Sequence, residues 1–592
     1  MTLDAAVPRR LIVTAAPPTP NGDLHLGHLS GPYSGADILT RACRLQGSDV
    51  LFLTGSDVHQ SYVPVKARRD GADPLEMADA FADEITRIFT AAGIEPDISV
   101  RPQHSGLHVS IVREFFRRLH ERGALRARTG PALFCRNCRR YLFEAHVTGR
   151  CPHCGAVSDG NSCENCALPN ECVDLIDPVC NACGGKPAGR LVDRLVFPLC
   201  EYAGRLRSFH AAASMSPQLE ALCARMLARG LPDIPVSHPT DWGIPMPVAG
   251  FEDQRIYVWA EMLPGYFAEL AHALHNAGQD PRDWPAAWND PGTQIVQFFG
   301  FDNGYFHAVL QPALLMAYDA SFRLPDALVT NEFYQLGASK FSTSRRHAIW
   351  ASDLLATVPA STVRFVLAYD RPEFERTSFG WDRLRDLADG MLAGTWQRWL
   401  TGLFSRIETR AGGLIPGGTG MNRSQRAFLA LIERLAQATL DAYRAEDFSP
   451  RRAVRLLCVL VDCALDFAAG QSRTRADGGD GAADAALAVE AAAARTLAQL
   501  ACPLMPAFAG QVWAALGEDG AIRWDGVRLP ARGRPTRTSA RFFQPLAGDV
   551  EDAVMNAAGP GLAPGKRSGN PGTDPSAKLF HHTGQQLDIG LS

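Results

Sequence analysis

Nowhere does this chain stay apolar for long. No stretch of its 592 residues approaches the roughly 18 consecutive apolar residues that a membrane span needs. The N-terminus passes from Arg9 and Arg10 straight into a short Leu11-Ile-Val-Thr-Ala-Ala run, without the apolar core of a secretion signal. A chain with no membrane contact, resident in the cytoplasm, is the expectation. Charge of one sign is scarce too: the formal net charge is −4. Such a balance excludes a strongly basic or acidic protein, yet leaves nucleic acid open, because phosphate binding depends on local Lys and Arg clusters. Cysteine is sparse over most of the chain. Nine of the 15 cysteines lie between Cys135 and Cys183, and the scattered six read as buried apolar thiols. In a cytoplasmic setting the concentrated ones point to metal rather than disulfides. Apolar anchors are few in residues 551–592, which are rich in Gly, Pro and polar residues and read as a disordered tail.

What remains is a chain long enough for three or four domains. Leu11 to Thr14 reads as a buried strand, broken by Pro17-Pro-Thr-Pro-Asn-Gly22 before a helical run from His28 to Cys43. A second apolar run, Asp49 to Thr54, ends in Gly55-Ser56-Asp57, as expected of βαβ units in a parallel sheet with ligand residues at the strand ends. After the cysteine-rich segment the pattern resumes with core strands expected at Ile256 to Trp259 and Gln294 to Phe299, the second leading into Gly300 and Asp302. From Trp381 to Leu516 the periodicity is helical, with an exposed loop expected at Gln471 to Asp480.

The cysteines fall into four Cys-x-x-Cys pairs: Cys135 and Cys138, Cys151 and Cys154, Cys163 and Cys166, Cys180 and Cys183. This is zinc-knuckle spacing, and eight thiolates suit two tetrahedral zinc ions. Closed four-sulfur sites leave no position for substrate, so the metals are expected to be structural. Spacing alone does not decide the pairing, and Cys172 is left over. Upstream, His25-Leu-Gly-His28 follows a strand and a Pro-Asn-Gly turn, placing two imidazoles and Gly27 where a helix N-terminus meets an anionic ligand such as ATP phosphate.

Pro17-Pro-Thr-Pro-Asn-Gly-Asp-Leu-His-Leu-Gly-His28 followed by Gly55-Ser-Asp-Val-His59 resembles the first signature of the methionyl-tRNA synthetase family, class I aminoacyl-tRNA synthetases. Asp241-Trp-Gly-Ile-Pro245, Tyr257-Val-Trp259, Phe299-Gly-Phe-Asp302 and Phe306-His307 continue in that family's order. Lys340-Phe-Ser-Thr-Ser344 resembles its catalytic KMSKS loop. The resemblance implies an α/β fold: a Rossmann-type parallel-sheet catalytic domain (1–120 and 236–380) with a zinc-knuckle insertion (121–235), then an all-α helical-bundle domain (381–550) that binds tRNA. It implies an aminoacyl-tRNA ligase using ATP with Mg2+, methionine by default, and tRNA, with a monomer as the expected state. His25, His28, Lys340, Ser342 and Ser344 would be catalytic; Asn21, Gly27, Gly300, Asp302 and Lys340 would hold ATP. Asp57 would take the substrate ammonium, and Pro17, Thr19, Trp259, Met262, Tyr266, Asn303 and His307 would surround the amino acid. By the same resemblance Cys151, Cys154, Cys163 and Cys166 hold one zinc and Cys135, Cys138, Cys180 and Cys183 the other.

The chain also departs from the family. Pro17 and Thr19 stand where a Leu and a Tyr are usual, Met262 and Leu263 replace an Ala-Pro pair, and Asn303 replaces an Ile. Thr343 takes the place of the second catalytic-loop lysine, with Arg345 or Arg346 as possible substitutes. The anticodon helix lacks its Asn and Arg, leaving Trp396, Arg398, Trp399, Arg473 and Arg475 as candidate replacements, although two Trp at helical spacing more commonly belong to a core. Two other readings therefore stand beside the first: a specialised paralog that activates a different amino acid for a biosynthetic pathway, and a catalytically silent tRNA-binding regulator.

Overall fold

The computed structural model describes residues 9–557 apart from 161, 164, 338, 341–347, 474–479 and 538–540. Ser342, Thr343, Ser344, Arg345, Arg346 and Arg475 lie outside the described residues, as does the tail from 558 onward. Lys340 is placed by its backbone alone.

Six strands form one parallel sheet: β1 (Arg10–Ala15), β2 (Asp49–Gly55), β3 (Ile98–Val100), β4 (Ser214–Met215), β5 (Thr293–Gly300) and β6 (Ala327–Asn331). Their spatial order is β4-β6-β5-β1-β2-β3. β1 is buried on both faces, as parallel sheets require. Leu11 and Val13 enter one hydrophobic core and Ile12 the other, following the two-residue alternation of a strand. Around the sheet lie α1 (Ser34–Leu45), α2 (Pro74–Ala92), α3 (Gly106–Glu121), α4 (Val258–Asn276) and α5 (Ala360–Tyr369).

The expected strand at Ile256 to Trp259 is not formed. Only Arg255 and Ile256 pair in a short bridge, and α4 begins at Val258. Nearly every side chain of α4 is buried, so its apolar start carried no helical period to distinguish it from a buried strand. Between α3 and β4 the chain builds a long antiparallel hairpin, Arg126–Cys135 against Ala188–Phe197. A three-stranded knuckle, Val147–Arg150, Val157–Ser158 and Ile176–Cys180, sits between its arms in sequence. The expected insertion, 121–235, is interrupted: Ser214–Met215 rejoins the main sheet beside β6, a strand too short to carry a readable pattern.

The C-terminal part is helical: α6 (Gln397–Ala411), α7 (Arg423–Asp441), α8 (Pro450–Arg473), α9 (Asp480–Ala501) and α10 (Pro506–Ala515). A last helix, α11 (Val550–Ala557), stands where an unstructured tail was expected from 551. Val550 and Val554, one turn apart, supply the anchors that composition hid, and both are buried. The bundle shares a single core with one face of the sheet, running from Val13 to Trp396 and Leu504.

Arg364 on α5, only 4% exposed, pins that junction. Its Nε donates to Leu504 O at 2.6 Å, and Nη1 donates to Ala92 O and Gly93 O at 3.2 and 3.0 Å. Nη2 donates to Asp37 Oδ2 and Pro503 O at 2.6 and 2.9 Å. Asp37 keeps Arg41, whose Nε donates to its Oδ1 and Oδ2 at 3.1 and 3.0 Å, so losing Arg364 falls mainly on four largely buried backbone carbonyls, at about 3–5 kcal/mol in all. Arg364→Met is therefore expected to lower the unfolding free energy by about that much, read from urea titration; a change below about 1 kcal/mol would show that the junction is held elsewhere.

Candidate active site at the sheet switch point

Strand order reverses between β1 and β5, and the crevice at the C-terminal ends of such strands is where parallel α/β sheets bind ligands. The loop leaving β1 is laced into place. Ala16 N donates to Phe298 O at 2.9 Å, Asp57 N to Pro18 O at 3.0 Å and Asn21 N to Thr19 O at 2.9 Å. His25 and His28 then stack with ring centroids 3.7 Å apart, and His25 N donates to His28 Nδ1 at 3.2 Å. Gly31 follows where a Cβ would come within 2.9 Å of the Asn331 side chain at the end of β6.

Leu26 N donates to Ile349 O at 3.1 Å and Ala351 N to Leu24 O at 2.9 Å, so the segment following the Lys340 loop runs beside the paired histidines. Lys340 itself pairs through its backbone with Gln335. On the β5 side, Gly300 carries Asp302, whose Oδ1 would lie 2.7 Å from a Cβ at that glycine. Ser162, between two knuckle cysteines, donates to Asp302 O at 3.2 Å.

Asp57 is 8% exposed at the end of β2. Burial pushes its carboxyl well above the usual range, with Glu261 and Glu144 adding repulsion, while hydrogen bonds from Gln60 and Thr19 oppose the rise. The Thr19 hydroxyl thus serves Asp57. Trp259 stacks on Phe306 at 3.8 Å, and His307 stacks on Phe299 at 4.2 Å. His307 Nδ1 faces the carbonyl of Asn303 at 3.2 Å, so it carries the proton and Nε2 accepts from the Tyr266 hydroxyl at 3.0 Å. Burial holds His307 down at about 4, keeping the ring neutral. Pro17, Asp57 and Met262 line one small cleft.

Glu261, His108 and Glu269 in this region were not singled out from sequence. Glu261, 4% exposed, accepts from His59 Nδ1 at 2.7 Å and His108 Nε2 at 3.0 Å. Its signals were His59, already inside the Gly55 to His59 motif, and its place two residues after Trp259. Further out, Trp396 and Trp399 are each 1% exposed. Trp399 Nε1 donates to Glu490 at 3.0 Å, so both rings belong to the bundle core and neither offers a face to a base. Arg398 is exposed.

The cysteine pairs converge in two groups, Cys135, Cys138, Cys180 and Cys183, and Cys151, Cys154, Cys163 and Cys166, each with all sulfurs within 4.8 Å of one another. Sulfur separations of 3.5 and 3.8 Å in the first and 3.9 and 3.6 Å in the second match the edge of about 3.8 Å in a tetrahedron built on 2.3 Å metal–sulfur bonds. None of the fifteen cysteines forms a disulfide. Cys172 stands outside both groups, its thiol directed to Gly160 O at 3.5 Å. Among the described residues no helix is long and apolar enough to cross a membrane.

The family model for the class I tRNA synthetases (M) matches residues 11–401. A methionine–tRNA ligase of Thermomicrobium roseum is 32% identical over 514 residues, spanning 86% of this chain and 87% of that protein. One from Pyrobaculum aerophilum is 30% identical over 90% of this chain and 93% of its own length. The solved structure of Mycobacterium tuberculosis methionyl-tRNA synthetase in complex with methionyl-adenylate superposes with a TM-score of 0.74 at 21% identity, covering 90% of this chain and 99% of that one. The chain belongs to the methionyl branch of the class I tRNA synthetases, and it is an aminoacyl-tRNA ligase.

Glu261 supplies a pH test of this core. Its two histidines outweigh the cost of burial and hold it at about 2, below the ordinary 4.5. A depressed carboxylate stabilises the fold above its unfolded pKa, and that contribution disappears as pH falls through the folded value. The stability gap between wild type and Glu261→Gln is expected to be full above pH 4.5 and to close toward pH 2. A gap independent of pH, measured by denaturant melts, would count against the pairing.

Proposed function

We propose that the chain activates an amino acid, methionine by family membership, with ATP and Mg2+, and transfers it to tRNA. The observation that carries this is the backbone pairing of Leu24 and Leu26 with Ile349 and Ala351. It brings the stretch that follows the Lys340 loop alongside His25 and His28. An amino-acid carboxylate oxygen attacks the α-phosphorus, the bond to pyrophosphate breaks, and negative charge grows on the leaving group. In this reading His25, His28 and Lys340 meet that charge together with Ser342 and Ser344, and such donors act strongly where water is excluded. Asn21, Gly27 and Gly300 allow close approach of the nucleotide, and Asp302 takes its ribose. In the second step a terminal ribose hydroxyl of tRNA attacks the activated acyl carbon and AMP leaves.

Asp57 receives the substrate ammonium. Its burial makes the empty site reluctant to ionise, and the incoming cation supplies what the protein withholds. Trp259, Tyr266 and His307 shape the side-chain pocket, with Pro17, Thr19, Met262 and Asn303 as its remaining walls. The neutral Tyr266–His307 pair suits an uncharged thioether. Amino-acid-dependent ATP–pyrophosphate exchange tests the reading. Methionine is expected to support exchange, and Asp57→Asn to raise its KM by about 100-fold with little change in the KM for ATP. Exchange with a different amino acid alone would instead identify a repurposed paralog, a reading favoured by the polar Asn303. No exchange with any amino acid would identify a silent tRNA-binding protein.

The two cysteine groups hold one zinc each, tying the knuckle strands and the hairpin tip into a fixed shape; bound zinc supplies structure there and takes no part in the chemistry. Metal analysis is expected to find about two zinc per chain, falling to one in a Cys154→Ser, Cys163→Ser double variant. Full retention in that variant would refute the assignment.

A further inference from the structure

One face of α4 presents Glu261, Met262 and Glu269 to a cavity of about 20 Å3, closed on the far side by Ser56 and Asp57 at the end of β2 and by His108. That is room for one non-hydrogen atom, since a water needs roughly 10–15 Å3. Four buried polar atoms on its wall residues have no hydrogen-bond partner: Ser56 Oγ, His108 Nδ1, Glu261 Oε2 and Glu269 Oε2. Glu269 is the most exacting of them. It is 4% exposed and forms no ion pair among the described residues. Burial alone raises its carboxyl well above the ordinary range, with no opposing hydrogen bond.

Its other oxygen reaches the strand end. A Cβ at Gly55 would lie 2.8 Å from Glu269 Oε1 and 2.9 Å from Val100 O, so only glycine lets the carboxyl approach a point two residues before Asp57. Both Glu269 and Asp57 act on the Tyr266 phenol and oppose its ionisation. An unpaired buried carboxyl costs about 1–3 kcal/mol, and a group that satisfies it must carry donors and fit one atom. A primary ammonium does both, offering three N–H donors to Glu269, Glu261 and Ser56.

We propose, resting on the amino-acid-activating reading above, that this cavity receives the side-chain ammonium of a short diamino acid, which the chain activates as a further substrate. The α-ammonium stays with Asp57, and the cavity lies close beside it, so the side chain is two or three methylenes long. The bonds made and broken are those of ordinary activation: carboxylate oxygen joins the α-phosphorus, pyrophosphate departs, and the second ammonium is a spectator held by charge. Selectivity follows because acceptors built for an N–H group are left unpaired by a substrate that lacks one.

Pyrophosphate exchange with methionine, norleucine, 2,4-diaminobutyrate and ornithine tests this on wild type, Glu269→Gln and Glu269→Asp. Wild type is expected to activate 2,4-diaminobutyrate, and Glu269→Gln to lower the ratio of kcat/KM for that substrate to kcat/KM for methionine by about 100-fold. Glu269→Asp withdraws the carboxyl by one methylene and is expected to shift the optimum to ornithine, a gain that a misfolded variant cannot produce. Methionine exchange without diamino-acid exchange, or an unchanged ratio in Glu269→Gln, overturns the inference and leaves the activating reading standing. Absence of exchange with every amino acid overturns both.

Discussion

The parallel pairing of β1 with β5 joins segments almost three hundred residues apart in a fixed register, Ala15 opposite Phe298 and Arg10 opposite Thr293. One residue past that ladder the two chains separate, one toward Pro17 and the histidine pair, the other toward Gly300 and Asp302. A slip by one residue would invert which side chains enter each core, because strand side chains alternate between faces. Leu11, Ile12 and Val13 face fully buried cores on both sides and make such a slip costly. The crevice inherits its precision from that constraint.

Around this crevice the protein has buried an unusual amount of ionisable chemistry, and each group is handled differently. Glu261 is charged because two imidazoles close on it; His307 is neutral because burial outweighs its one carbonyl contact. Glu144 is pushed up to about 7, where burial is only partly opposed by the Ser61 hydroxyl. The same helix, α4, carries Glu261, Tyr266 and Glu269, so one element supplies an ion-paired carboxylate, a neutral phenol and a carboxyl with no ion partner among the described residues. A low-dielectric site of this kind gives every added donor or cation more leverage than it would have in water.

Much of this was legible in the order of residues. Strand-loop-helix at Leu11 to Cys43, the strand at Gln294 to Phe299 and the Cys-x-x-Cys spacing each rest on a local physical rule, and each rule had nothing nearby to override it. Tyr257 to Trp259 misled because a helix buried all round loses the periodicity that marks it. Ser214–Met215 was invisible because two residues carry no pattern. Glu261, His108 and Glu269 escaped notice for another reason: their roles exist only when β2, α3 and α4 are brought together. Trp396 and Trp399 resolved in favour of their helical spacing, whose period is that of a core stripe.

Arg364 also bears on how the protein comes into being. Its partners are Asp37 and two carbonyls near residue 92 on one side, and the carbonyls of Pro503 and Leu504 on the other. During synthesis the first set emerges long before the second, so a newly made α/β region carries this guanidinium partly unpaired until the last long helices leave the ribosome. Chains of this size fold domain by domain from the N-terminus. For this one, the guanidinium has its charge partner Asp37 early and its last two hydrogen bonds only once residues 503 and 504 are in place, which makes truncation near residue 500 a damaging break rather than a trimming of surplus chain.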